Sequence, residues 1–219
     1  MRVLGFAGSL RRDSYNGKLL QAAAHLFPNG VVFELWRGIG DLPAYNEDLD
    51  RAEPPATVVQ LRHDIANADA LLFATPEYNA SVPGGLKNTL DWASRPYPTN
   101  VLRRKPVAVI GASTGFFGAI WAQAELRKIL SACGTRVLDR QLPVARASDA
   151  FAPDGSLADP ELTAPLAEIV RDLVRIALPN ELRGESEQGE RLRAIHRSGR
   201  PRARRNAPPV GANRVAGRG

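Results

Sequence analysis

Short apolar runs alternate along this chain with longer stretches in which apolar positions recur every three or four residues. VLGFAG (Val3–Gly8), VVFELW (Val31–Trp36), ALLFAT (Ala70–Thr75) and VAVIGA (Val107–Ala112) read as strands, with Thr135–Leu142 as a fifth. The periodic stretches predict helices over about Asn16–Phe27, Pro54–Asn67, Gly85–Ser94, Ala119–Cys133 and Pro160–Leu178. Pro54 and Pro55 stand where a helix start tolerates them, and Gly134 closes the fourth helix. The strands are nearly continuous in apolar residues, which fits a sheet buried on both faces. Strand–helix alternation builds right-handed βαβ units and a parallel sheet.

Five such strands in residues 1–180 predict a doubly wound, flavodoxin-like α/β sheet of order 2-1-3-4-5. Ligands of these sheets sit outside the carboxyl ends of the strands, at the switch point between strands 1 and 3. The loops after strands 1, 3 and 4 are therefore the ones to read for chemistry. From about Gly184 the chain turns rich in Arg, Gly and Pro. Residues 181–219 bury too little apolar surface to offset their ordering entropy and are expected to be a disordered tail. Glu185–Arg197 is a candidate transient helix within it.

The 44% apolar and 24% charged composition is that of a soluble globular protein. No apolar run approaches the roughly 18 residues of a membrane span. The opening MRVLGFAGSLRR reads as a first strand and not a signal peptide, so a cytoplasmic protein is expected. A single cysteine, Cys133, excludes an intrachain disulfide and a Cys-based metal cluster. His25, His63 and His196 lack metal-ligand spacing, and the first two are expected at the surface. The net charge of +6 lies entirely in residues 180–219, which hold 10 Arg and 4 Glu; the remainder carries 19 basic and 19 acidic residues. The basic run Arg197–Arg205 is open to two readings, a nucleic-acid or acidic-surface contact and a solvated tail.

The first loop, GSLRRDSYNGKL, contains Gly17-Lys18 but not the spacing of a Walker-type phosphate loop, and it lacks GxGxxG. It offers Ser9, Ser14 and Asn16, with Arg11 among them, just before a helix. Free N–H groups at a helix start favour an anion, and a guanidinium fork suits phosphate oxygens. Helix capping by Ser14 or Asn16 is the plainer alternative. The second loop, PEYNASVPGG, combines Pro76 and Pro83 with Gly84 and Gly85, a stiff backbone that a ligand can approach closely. Tyr78 adds an aromatic face and Asn79 a donor–acceptor pair, which suits a planar heterocycle as well as a structural turn. Glu77 has three available roles: capping the following helix, pairing with a cation, or meeting a neighbouring subunit. The third loop, GASTGFFGA, presents Ser113, Thr114 and Gly115 ahead of a helix. The amides of Gly115 and Phe116 could face developing negative charge on a cofactor, while Phe116 and Phe117 could equally be core.

GSLRxxSxN, then PEYNxSxPGxLKNxLDWxSR standing intact over Pro76–Arg95, then GASxG, resemble the NADPH-dependent FMN reductase family, over about residues 1–178. That family includes bacterial chromate and quinone reductases and some azoreductases. The resemblance implies FMN bound without a covalent link and NADPH (or NADH) as co-substrate. It implies that Ser9, Arg11, Ser14, Tyr15 and Asn16 hold the FMN phosphate. Pro76, Glu77, Tyr78 and Asn79 would line the isoalloxazine, and Ser113 and Gly115 would close its other side. It further implies a homodimer or homotetramer, with Leu86, Leu90 and Trp92 as interface candidates against a core-packing alternative. The expected reaction passes hydride from NAD(P)H to flavin and electrons onward to a quinone, free flavin, azo or nitro compound, or chromate. No protein nucleophile or base is required. A flavodoxin-type electron carrier and a nucleic-acid-associated protein acting through the basic tail are the rival readings.

Overall fold

The computed structural model describes residues 1–51 and 53–178. The expected tail 181–219, including Glu185–Arg197, His196 and the run Arg197–Arg205, lies outside the described residues.

The most apolar segments form the centre of the sheet. β1 (Arg2–Ala7) pairs in parallel with β2 (Val32–Trp36) on one side and with β3 (Ala70–Thr75) on the other. β3 pairs with β4 (Pro106–Ala112), and every residue of both is buried. The order is 2-1-3-4-5, as the alternation predicted. Successive side chains point to opposite faces, so each apolar run serves two cores. Leu4, Phe6, Leu71, Phe73, Val107 and Val109 pack with α3 (Ala56–Ala66), α4 (Gly84–Ala93) and α5 (Ile120–Ala132). Val3, Leu72, Ala74, Ala108 and Ile110 pack with α1 (Tyr15–Ala24) and α6 (Pro160–Ala177). A 3₁₀ turn at Gly38–Asp41 and the one-turn helix α2 (Glu47–Asp50) complete the link between β2 and α3. Asp159 caps α6 by accepting from the Glu161 N–H at 2.8 Å, with Pro160 at the first helical position.

The fifth strand differs from its expected form. Thr135–Leu142 does not run as one strand. β5 (Arg136–Val137) pairs with the start of β4, and β6 (Pro143–Val144) pairs with its end. Asp139–Gln141 leave the sheet between them. Two polar side chains hold the break in place. Arg140 reaches α6 and meets Glu168 at 2.9 Å and Asp172 at 2.6 Å. Gln123, fully buried on α5, accepts from the Leu142 N–H at 3.1 Å and donates to the Leu142 carbonyl at 3.2 Å. Its amide stands in for a strand neighbour, which is how a buried backbone stays satisfied where the ladder stops.

Leu86, Leu90 and Trp92 are core residues and not a partner surface. They are 0%, 1% and 0% exposed on the inner face of α4. The Trp92 indole N–H donates to the Pro43 carbonyl at 2.8 Å, and its ring meets Tyr45 edge-on at 4.9 Å. Asn88 donates to the same carbonyl and accepts from the Tyr45 N–H. The LKNTLDW segment thereby staples the 43–45 loop onto the sheet. The outer face of α4 carries Lys87 and Asp91, paired at 2.6 Å. Among the described residues, no helix is long and apolar enough to cross a membrane.

Candidate functional site

The first loop begins where β1 ends. The Gly8 N–H continues the sheet by donating to Ala74 at 2.8 Å. A Cβ at Gly8 would lie 3.0 Å from both Leu86 and Pro76. The absent side chain lets this loop lie flush against the one after β3. Ser14 caps α1 by accepting from the Gly17 N–H at 3.2 Å, and the first-turn amides of α1 point out of this end of the helix. Ser9 accepts from the Arg11 N–H at 3.5 Å. The exposed Arg11 guanidinium lies 5.8 Å from the centre of the Tyr15 ring, which stacks on Phe151 at 6.0 Å. Asn16 turns inward and is only 2% exposed. It donates to the Ala112 carbonyl and accepts from the Ala112 N–H, both at 2.9 Å. Asn16 therefore ties the first turn of α1 to the end of β4. Its side-chain amide is engaged in those two bonds.

The second loop is held from outside itself. Tyr78 and Ser81 exchange both backbone hydrogen bonds, at 3.0 and 3.1 Å. Asn79 (φ 53) and Ala80 (φ 58) are both left-handed, the pairing that a type I′ turn demands. Asn tolerates this conformation, whereas Ala costs about 1–2 kcal/mol there. Two carboxylates offset that cost. Ser81 Oγ donates to Glu125 on α5 at 2.6 Å. Glu77 Oε2 accepts from the N–H groups of Trp121 and Ala122, each at 3.0 Å. Of the three roles open to Glu77, the structure selects capping, but of α5 and not of the following helix α4. The reason lies in α5 itself. Its N-cap residue, Ala119, has no side-chain acceptor, and a carboxylate there meets the positive end of the helix dipole. Glu77→Ala is expected to cost about 1–2 kcal/mol in a urea titration, with Glu77→Gln losing less because one acceptor oxygen remains.

The third loop rests on β6. The Ser113 N–H donates to Val144 at 3.0 Å, and the Gly115 carbonyl accepts from the Arg146 N–H at 3.0 Å. Ser113 Oγ accepts from the Gly115 N–H at 3.2 Å, so that amide serves its own turn. Gly118 has φ +57, and a Cβ there would fall 2.5 Å from the backbone of Pro143. No other residue allows that approach. Phe116 and Phe117 are 73% and 61% exposed, which removes them from the core. The Arg146 guanidinium lies 5.1 Å from the Phe116 ring.

Together the loops form a notch of about 120 Å³ outside the carboxyl ends of β1, β3 and β4. From the first loop it is lined by Ser9, Arg11, Ser14, Tyr15 and Asn16. The second contributes Pro76, Glu77 and Tyr78, and the third Ser113 and Thr114. Asn79 and Gly115, also expected at the site, stand outside this lining. Ala112 lines it without any mark in the sequence, because only the end of β4 places it there. The notch is far smaller than the roughly 300–1,000 Å³ that encloses a small-molecule ligand. It suits one end of a ligand, with the remainder lying on the surface. An adjoining hollow of about 350 Å³ is lined by Leu10, Arg11, Tyr78, Pro83 and the glycines Gly84 and Gly85.

Known proteins are similar to this chain in sequence and fold. Residues 1–149 match the family described as NADPH-dependent FMN reductase. The chain is 46% identical over 160 residues to an NAD(P)H-dependent FMN reductase of Pseudomonas aeruginosa, covering 73% of this chain and 85% of that protein. It is 38% identical over 141 residues to a quinone reductase of Escherichia coli, covering 64% and 74% respectively. Among solved structures it is similar to the flavoenzyme NAD(P)H:(acceptor) oxidoreductase FerB of Paracoccus denitrificans. That match has a TM-score of 0.72 and 42% identity, covering 80% of this chain and 96% of that one. The matched span holds every strand of the sheet and all three loops of the notch, and by it the chain belongs to the NADPH-dependent FMN reductase family.

Proposed function

We propose that this chain is an FMN-dependent NAD(P)H oxidoreductase that passes reducing equivalents to a quinone. The observation that carries the reading is the convergence of Ser9, Arg11 and Ser14 with Pro76, Tyr78 and Ser113 on one notch. The residues present fit FMN. Two hydroxyls, a guanidinium and the start of α1 gather donors and positive potential, as a phosphate monoester requires. Pro76 and Tyr78 give the adjoining surface a flat, stiff face for a ring system. Bound FMN would supply the hydride-accepting and electron-donating chemistry.

The chain's own residues bind and orient. Arg11 and the α1 amides hold the anionic end. The Tyr78–Ser81 turn, fixed by Glu77 and Glu125, keeps the ring face at a constant height. The small volume of the notch leaves the outer face open to a second planar substrate. A nicotinamide and then a quinone can occupy that face in turn, and free flavin, azo and nitro compounds have the same planar form. Among the described residues, neither Cys133 nor a histidine lines the notch, which agrees with chemistry carried by the cofactor. The lone cysteine also fits a reducing compartment, and we assign the protein to the cytoplasm.

The test is an anaerobic absorbance titration of the FMN-loaded protein with NADPH and with NADH. The flavin band is expected to bleach and to return when a quinone is added. Flavin that binds but does not bleach would indicate an electron carrier, and failure to bind flavin would overturn the reading. Arg11→Ala is expected to raise the FMN dissociation constant roughly 10- to 100-fold, the worth of a charge-assisted hydrogen bond. Riboflavin, which lacks the phosphate, serves as the control and should bind both proteins alike.

A further inference from the structure

We propose that Arg146, beside the third loop, selects planar acceptors that carry an anionic substituent on the ring. The inference rests on the reductase reading and names which quinones the outer face prefers.

The backbone ties Arg146 to the wall of the notch. The Ser113 N–H donates to Val144, and the Ser113 carbonyl accepts from the Ala147 N–H, both at 3.0 Å. Beside those two bonds, the Arg146 N–H donates to the Gly115 carbonyl at 3.0 Å. Ser113 and Thr114 line the notch, while Arg146 is exposed and stands outside the lining, at its rim. Arg146 has φ 45, a left-handed conformation that glycine takes freely and a Cβ disfavours. Its carbonyl accepts from the Asp149 N–H at 2.8 Å and so closes a turn. A long charged side chain is thus carried where the backbone alone favours none, and strain of this kind gathers at functional sites.

The guanidinium is held but not neutralised. It lies 5.1 Å from the centre of the exposed Phe116 ring on the same loop. Contact with a ring orients the group without cancelling its charge. Among the described residues, no carboxylate lies within ion-pair distance of it. Glu77, the carboxylate that lines the notch, is taken by the N–H groups of Trp121 and Ala122. A planar ligand on the outer face therefore meets an aromatic ring and an uncompensated cation at the third loop. The N–H donors of a guanidinium suit a carboxylate, a sulfonate or an ionised hydroxyl. A cation already ordered by Phe116 spares the ligand the cost of ordering it. Arg146 takes no part in the transfer itself. The quinone gains the two electrons and one proton of a hydride that NAD(P)H gives up, takes a second proton from solvent, and leaves as the hydroquinone.

The test compares the FMN-loaded full chain with Arg146→Gly, which removes the side chain and suits the left-handed backbone, and with Arg146→Lys, which keeps the charge but not the fork. The acceptors are 1,4-naphthoquinone-2-sulfonate and the neutral 2-methyl-1,4-naphthoquinone, each assayed with NADPH. Arg146→Gly should lower the ratio of kcat/KM for the sulfonate to that for the neutral quinone roughly three- to tenfold, through KM, between the worth of an exposed ion pair and that of a covered one. Taking the ratio removes any general effect on folding or flavin loading. For the sulfonate, kcat/KM of the unaltered protein should fall with added salt, and that of Arg146→Gly should respond less. Arg146→Lys should keep part of the preference. Naphthalene-2-sulfonate, which is not reduced, gives a readout without turnover: by calorimetry it should bind the unaltered protein roughly three- to tenfold more tightly than Arg146→Gly. An unchanged ratio with unchanged sulfonate affinity would overturn the inference, as would equal losses for both acceptors. Flavin that NADPH does not bleach, or that neither quinone reoxidises, would sink the reductase reading. Reduction of both quinones at the same ratio by the unaltered protein and Arg146→Gly would sink this inference alone.

Discussion

Asn16→Ala is expected to lower stability by roughly 2–5 kcal/mol, because two buried backbone groups lose their partners at about 1–3 kcal/mol each. The N–H and carbonyl of Ala112 both depend on this one side chain, and Ala112 is 2% exposed, so water does not replace it. At about 2–4 °C per kcal/mol for a chain of this size, the thermal midpoint should fall by roughly 5–20 °C. Asn16→Asp should be no better. Its carboxylate still accepts from the Ala112 N–H but faces the Ala112 carbonyl with like charge. Flavin affinity should fall with stability, since Asn16 is the joint between the first and third loops. Thermal unfolding of the flavin-free protein reads the structural effect by itself. An unchanged midpoint would mean that these two bonds do not hold the loops.

Gln123→Leu should be of comparable severity for a different reason. Gln123 closes the gap between β5 and β6, and its amide also donates to the Gly118 carbonyl at 3.0 Å. With leucine there, the Leu142 N–H and the Gly118 carbonyl are both left without these partners. The Leu142 carbonyl keeps the Gly111 N–H at 3.2 Å. Two unsatisfied buried groups again imply roughly 2–5 kcal/mol. Gln123→Glu places a carboxylate against two carbonyl oxygens. Its loss should be greatest near neutral pH and partly relieved in acid, where the protonated carboxyl regains a donor. Urea unfolding at two pH values checks both variants. A Gln123→Leu protein as stable as the parent would show that the strand break does not need its amide.

These two residues also mark where sequence reasoning stops. The strands were legible because an apolar run long enough to cross a buried sheet has few other uses. Their order followed from the alternation with helices. The three loops were legible because Arg11, Tyr78 and the prolines and glycines around them are costly to explain as turns alone. Asn16 read as a cap or a ligand because any polar residue in a first helical turn suits both. Its partner lies 96 residues away, and only the closed sheet brings Ala112 to it. Glu77 reaches across 44 residues to α5, while local reasoning pointed to α4, the nearer helix. In Thr135–Leu142 the apolar residues suggest one strand, because a break made by Gln123 leaves no local trace. Leu86, Leu90 and Trp92 carried the same helical spacing for an inner face as for an outer one.

The two-point docking of the Tyr78–Ser81 turn onto α5 bears on how such a loop can be moved between proteins. Its shape is not encoded in its own eight or so residues. Ala80 opposes the turn it occupies, and α5 acts as a splint that enforces it. A peptide of the Pro76–Gly85 sequence should show no persistent turn in solution. Grafted onto a foreign sheet, it would lose the aromatic platform unless the recipient also supplied an uncapped helix start and a carboxylate one turn further on. The transplantable unit is the loop together with the helix it leans on.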